Sequence, residues 1–173
     1  ATLPYAVGNF EGTAFGAETS VYRSGLMDSV FRFSVNLVGG PAMELSEMRK
    51  WQQKHLLGAS LKIVAPTGQY DPTKLINLGA NRWAFKPEIG ISKAVGSWTA
   101  EVKSAAVFFT DNDDFFGGNS VSQDSIYSVQ GNLIYGFKSG IWVSLDATYF
   151  TGGRTTLNGV RNYDLQQNWR LGG

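Results

Sequence analysis

The stretch Ile141-Trp142-Val143-Ser144-Leu145-Asp146-Ala147-Thr148-Tyr149 sets apolar side chains at every odd position and, from Ser144 onward, polar or hydroxyl groups between them. Successive side chains of a strand point to opposite faces, so this alternation marks a strand between an apolar and a polar medium. Outward from it the same period recurs around residues 13–23, 29–38, 55–65, 82–93, 97–110, 125–137 and 161–171. Phe31, Phe33, Val35 and Leu37 alternate with Arg32, Ser34 and Asn36. Tyr163, Leu165, Trp169 and Leu171 alternate in the same way near the end. With 140–151 this gives eight candidate strands of ~10 residues, long enough to cross a bilayer at the usual tilt. Helical spacing occurs only at Pro41–Trp51, where two or three turns are expected with proline at the first helical position.

Composition narrows the classes. The chain has 173 residues, which allows one domain or part of one. Fifteen Lys+Arg against fourteen Asp+Glu leave a formal charge of +1, so a nucleic-acid partner is not expected. No run approaches ~18 apolar residues, which excludes a spanning helix but not a barrel, whose strands turn only alternate residues to lipid. Disorder is excluded by the 43% hydrophobic and 13% aromatic content. Zero cysteines remove disulfides, thiolate zinc sites and cysteine nucleophiles. Ala1-Thr2-Leu3-Pro4-Tyr5 has neither the basic start nor the apolar stretch of a signal peptide, so none is expected within the chain.

Two readings of the alternation remain open. In a soluble β-barrel or sandwich the apolar face is the dry interior, and the protein would bind small molecules in water. In a membrane barrel the apolar face meets acyl chains, with aromatic girdles at both interfaces. Trp83, Trp98, Phe108, Tyr127, Tyr135, Phe137, Tyr149, Tyr163 and Trp169 fall mostly near strand ends, whereas Val35, Leu61, Ile89, Val102, Val129 and Leu145 hold the centres. This pattern favours the membrane barrel. Tight turns at Ala94–Ser97 and Lys138–Gly140 contrast with long connections at 66–81, 111–124 and 152–159, which would be the outer loops. The same parity puts Pro41–Trp51 at the periplasmic rim and the short link at 24–28 outside.

The polar face would then line the lumen with Glu18, Arg32, Lys62, Arg82, Lys86, Glu88, Glu101, Lys103, Gln130, Asn132, Asp146, Asp164 and Arg170. An eight-strand barrel has room only for packed side chains, so this many charges suggests a wider barrel of which the chain is a part. Lining of mixed sign gives little ion selectivity, because selectivity needs a ring of one sign. Ion-paired networks bracing the wall, and passage of small neutral solutes, are expected instead.

No enzyme and no cofactor are expected. A histidine relay or metal site would have to use His55, the one histidine, which sits at a strand start and reads as a rim residue. Asp111-Asn112-Asp113-Asp114 fails as an EF-hand, since positions six and twelve are Phe116 and Ser122. It reads as a solvated loop, with a looser calcium or lipopolysaccharide-bridging site as the alternative. Gly68-Gln69-Tyr70-Asp71-Pro72 and Gly152-Gly153-Arg154 lack the phosphate-loop pattern and read as turns. Phe115 and Phe116 are an apolar pair in an outer loop, costly unless covered, and are expected to help substrate enter. Tyr70 and Asn81 are expected at the same mouth.

Several stretches also read as family motifs. They are Pro66-Thr67-Gly68-Gln69-Tyr70-Asp71-Pro72, Ile76-Asn77-Leu78-Gly79-Ala80-Asn81-Arg82-Trp83, Lys86-Pro87-Glu88 and Phe108-Phe109-Thr110-Asp111-Asn112. Gly136-Phe137 before Gly140-Ile141-Trp142, and Thr151-Gly152-Gly153-Arg154-Thr155-Thr156-Leu157-Asn158-Gly159, complete the set. From about Arg23 to its end the chain resembles the outer-membrane channel family named for a meta-pathway of phenol degradation. The resemblance implies an antiparallel transmembrane β-barrel of about twelve strands, with roughly two missing before and two after this chain. It further implies a Gram-negative outer membrane and passive uptake of small hydrophobic or aromatic molecules. Contacts with membrane lipid and lipopolysaccharide, and a monomeric channel, are expected with it. Substrate identity is not carried over.

Overall fold

The computed structural model describes residues 1–14, 17–48, 51, 54–138 and 140–173. Phe15 of the first alternation, Arg49, Lys50, Gln52 and Gln53 around the expected helix, and Ser139 of a tight turn lie outside them. In chain order the strands are β1 (Tyr5–Ala14), β2 (Ala17–Leu26), β3 (Ser29–Val38), β4 (His55–Ala65), β5 (Ala84–Val95), β6 (Trp98–Phe109), β7 (Asn112–Phe115), β8 (Asn119–Gln123), β9 (Ile126–Gly136), β10 (Trp142–Gly152), β11 (Thr155–Leu157), β12 (Val160–Arg161) and β13 (Gln166–Gly172). One helical turn, α1 (Leu45–Met48), interrupts them inside the expected helix, whose next residues, Arg49 and Lys50, lie outside the described ones.

Seven long strands form one antiparallel sheet in the order β13-β10-β9-β6-β5-β4-β3, which is the wall. Its register keeps the two faces distinct across every ladder. Phe33 faces Leu61, Ile91 faces Val102, and Leu133 faces both Ala100 and Leu145. On the other face Arg32 meets Lys62, Glu101 meets Asn132, and Asn132 meets Asp146. A one-residue slip would exchange these faces, so the alternation itself specifies the pairing. β1 and β2 pair with each other, and Thr2 bridges to Val30 beside them.

The apolar face is open. Phe33 is 62% exposed and Leu145 65%, and of the described hydrophobic residues only Ala65 is buried. A soluble protein would have to hide this face, because it far exceeds the apolar patch a monomer shows to water. Aromatic clusters mark its two ends. Trp98, Tyr135 and Phe137 stack at one rim, with centroids 4.7 and 4.8 Å apart. Trp83 with Phe85, and Tyr149 with Trp169, stack at the other. From Trp98 to Phe108 a strand advances ~33 Å, or ~25 Å along the membrane normal at the usual tilt, the height of a barrel's apolar band.

All eight expected strands are present, with corrections at three places. The one expected around 13–23 runs from Ala17 to Leu26, and Thr13 and Ala14 belong to β1. The expected strand at 161–171 begins only at Gln166. Residues 162–165 form a loop, so Tyr163 and Leu165 leave the apolar face, and Tyr163 is fully exposed. β1 was not expected, and neither were the short strands within the loops. β7, β8, β11 and β12 form a second sheet in the order β12-β11-β8-β7 above the long-loop rim.

Candidate functional site

On the polar face the wall gathers ten of the expected lining residues: Arg32, Lys62, Lys86, Glu88, Glu101, Lys103, Gln130, Asn132, Asp146 and Arg170. Arg32, Lys62 and Lys86 stand directly across from one another on β3, β4 and β5. Such a row repels itself unless an anion intervenes. Glu88 supplies one, at 3.0 Å from Arg32 and 3.6 Å from Lys86, and Ser60 donates to it at 3.4 Å. Further along, Glu101 lies 3.9 Å from Lys103 and accepts from Asn132 at 3.0 Å, while Gln130 donates to Asn132 at 2.9 Å. Arg170 sits over the Phe150 ring at 5.9 Å. The expected ion-paired bracing is therefore present on this face.

Three expected lining residues stand elsewhere. Glu18 is on β2, opposite Thr13 in the separate hairpin. Asp164 belongs to the loop before β13, where it accepts from the Thr155 hydroxyl at 2.6 Å and the Thr155 amide at 3.0 Å. The Thr155 hydroxyl, then its amide, hold the Asp164 carboxyl below the usual carboxylate range. Arg82 precedes β5 at the long-loop rim.

At that rim the loops flank an open cavity of about 720 Å³. Leu75, Leu78, Phe115, Val121 and Leu157 give it apolar walls, and Tyr70, Arg82 and Asn112 give it polar points. Of the expected entry residues, Tyr70 and Phe115 line it; Asn81 is bonded to its lining, and Phe116 is half-buried beside Phe115.

Two side chains that sequence reasoning gave no role hold this roof together. Asn112 is 2% exposed. Its amide donates to the Tyr70 hydroxyl at 3.0 Å and the Ala80 carbonyl at 3.2 Å, and its oxygen accepts from Asn81 at 2.9 Å and the Asp114 amide at 3.1 Å. Asn81 has φ of 51°, a left-handed conformation that asparagine tolerates better than most residues. Asp28, in the link between β2 and β3, accepts from the amides of Gly68 at 2.9 Å and Ala80 at 2.8 Å. A Cβ on Gly68 or Gly79 would lie 2.9 Å from an Asp28 carboxylate oxygen, so only glycine lets the loop come this close. The short link expected outside is thus an anchor for the long loop at 66–83. The signal was available in part, since Asn112 and both glycines fall within the motifs quoted above.

Arg82 reaches under this roof. Its guanidinium lies 4.6 Å from the Phe109 ring centre and donates to Gln123 Oε1 at 2.5 Å. Burial lowers its pKa, and the Asp111 charge opposes the shift. Nearer the surface, Lys74 and then Thr73 bond the Asp71 carboxylate, which is lowered to about 2. His55 is exposed at the start of β4. Among the described residues, His, Asp and Glu side chains nowhere gather in threes as a metal ion would need.

A sheet with its apolar face open, a paired polar face and a loop roof at one rim is the architecture of part of a transmembrane β-barrel. A family model described as "Putative MetA-pathway of phenol degradation" matches residues 2–173, and the chain belongs to that family. It is similar in structure to the COG4313 outer membrane channel from Pseudomonas putida F1, known from its crystal structure, with a TM-score of 0.74 at 22% identity. The match covers 95% of this chain and 58% of the channel, so the chain spans somewhat more than half of that protein's length. Among curated proteins none matches.

Proposed function

We propose that the chain forms part of the wall and outer mouth of a Gram-negative outer-membrane channel for passive uptake of small hydrophobic or aromatic molecules. The observation that carries this reading is the inversion of the sheet: large apolar side chains stand open across seven strands while charged ones pair on the opposite face. The phenol-degradation family and the likeness to an outer membrane channel support it. Solute would meet the loop cavity at Tyr70, Asn81, Phe115 and Phe116, pass Arg82, and cross a lumen lined by the paired charges of the wall. No bond is made or broken; the gradient drives passage. The channel acts as a monomer, as a single partial barrel domain completed by further strands. Its partners are the solute, membrane lipid and lipopolysaccharide.

Phe115→Ser with Phe116→Ser tests the mouth. Phe115 lines the cavity, and losing its ring contact with the solute is worth ~1.5 kcal/mol, so uptake of an aromatic solute should fall about tenfold while the barrel still assembles. Uptake by cells carrying the double variant, beside heat-modifiable gel mobility as the assembly control, is the measurement. Unchanged uptake removes these residues from the entry route.

A further inference from the structure

We propose that Arg82 makes the loop cavity a binding station for a small apolar molecule that carries one carboxylate. This rests on the reading of that cavity as the solute entry. At about 720 Å³ the open cavity is of a size that holds a small ligand. Its leucines and Phe115 offer no partner to a charge. Among the described residues, Arg82 is its one cationic lining residue.

The surroundings of that guanidinium leave it incompletely answered. It has five N–H donors in a planar fork. One bond is formed, to the neutral Gln123, and the Phe109 ring covers one face. Among the described residues no carboxylate lies within ion-pair distance of it. Asp111 attracts it from farther off, and the other charge on the cavity wall, Asp28, has its two oxygens engaged by the amides of Gly68 and Ala80. Arginine stays protonated even where burial lowers its pKa. The cavity therefore holds a half-buried positive charge with open donors at the edge of an apolar space. A carboxylate matches the fork in shape and charge, and charge-assisted bonds of this kind are about twice as strong as neutral ones. The rest of the molecule would lie against Leu75, Leu78, Phe115 and Leu157. This departs from the preference for neutral solutes expected from the mixed charges of the wall: the lumen is balanced, the entry is not.

Titration calorimetry on the full-length protein in detergent, with 3-phenylpropionate and its neutral counterpart 3-phenylpropanol at pH 7, tests the station. The acid should bind at least about tenfold more tightly than the alcohol. Arg82→Gln, which can keep the bond to Gln123, should remove that preference and leave the alcohol's affinity in place. Arg82→Lys, which keeps the charge without the fork, should retain part of it. Equal affinities in the unaltered protein overturn the proposal whether or not any variant folds, and so does a preference that survives Arg82→Gln. Solute passage is read separately by liposome swelling. Carboxylate binding in a protein that passes no solute would keep the station and remove the channel; a channel with no carboxylate preference would do the reverse.

Discussion

Leu145 in the wall and Asn112 under the loop roof invert the usual rule of burial. The apolar side chain is 65% exposed and the polar one 2%. In the wall, neighbours are set by backbone register, and the side chains need only match the medium on their side. In the roof, neighbours are set by side chains. Asn112 ties the 66–83 loop to β7 through three hydrogen bonds, to Tyr70, Ala80 and Asn81, and the Tyr70 hydroxyl adds one to the Asp114 carbonyl. The wall is thus specified by a period of two repeated over seven strands, and the roof by single residues that have no substitute. Damage to the wall should follow a face, and damage to the roof should follow a bond.

The largest expected effect tests the face. Leu145→Arg places a charge near the middle of the apolar band, where it should cost ~2–4 kcal/mol. Thr148→Arg, three residues on and on the polar face, should cost under ~1 kcal/mol. Equilibrium urea unfolding of both variants in lipid vesicles makes the comparison. Equal losses would mean that the two faces see the same medium, and the membrane reading would fail with them.

Asn112→Ala tests the bond. It leaves the Tyr70 hydroxyl and the Ala80 carbonyl without their donor, a loss of ~1–3 kcal/mol for partners deprived in a buried place. The loss should be local. Hydrogen exchange should quicken at 66–83 and 110–125 and stay unchanged in β9 and β10. An even change through the wall would show that roof and wall unfold as one unit.

That division also explains what could be read from the residues alone. The wall was legible because alternation is a property of each strand by itself. Even Arg32, Lys62 and Lys86 could be set on one face before any pairing was known. β1 escaped because Gly8, Asn9, Glu11 and Gly12 interrupt its apolar positions. The last strand was started too early because Asn162 and Asp164 fit an alternating pattern while their side chains are used to hold Thr155. Asn112 could be seen only as one polar residue among aspartates. Its partners Ala80, Asn81 and Tyr70 lie 31 to 42 residues away, and no local period reports such a contact. Arg82 reads from the sequence as one of the wall charges, since sequence does not show that Gln123 and Phe109 gather around it.

The smallest effect expected concerns pH at the roof. Asp71 and Asp164 are both held below the usual carboxylate range, Asp71 at about 2, by bonds from Lys74 and Thr73 and from Thr155 respectively. A carboxyl whose folded pKa is depressed stabilises the fold above its unfolded value, near ~4, and loses that contribution as pH falls through the folded value. Between pH 5 and 8, then, both turns should be insensitive to pH. Between about pH 4 and 2 the turn at 71–74 should loosen, and the clip from Asp164 to Thr155 should loosen at pH values below ~4, while the strands of the wall keep their backbone pairing. Both groups are open to solvent, so the change should be a modest rise in local mobility and not unfolding. Amide chemical shifts of Thr73 and Thr155, followed through an acid titration, would record it. Midpoints near the ordinary value of ~4 for both residues would show that the two clips do not hold the roof in solution, leaving Asn112 and Asp28 to do so.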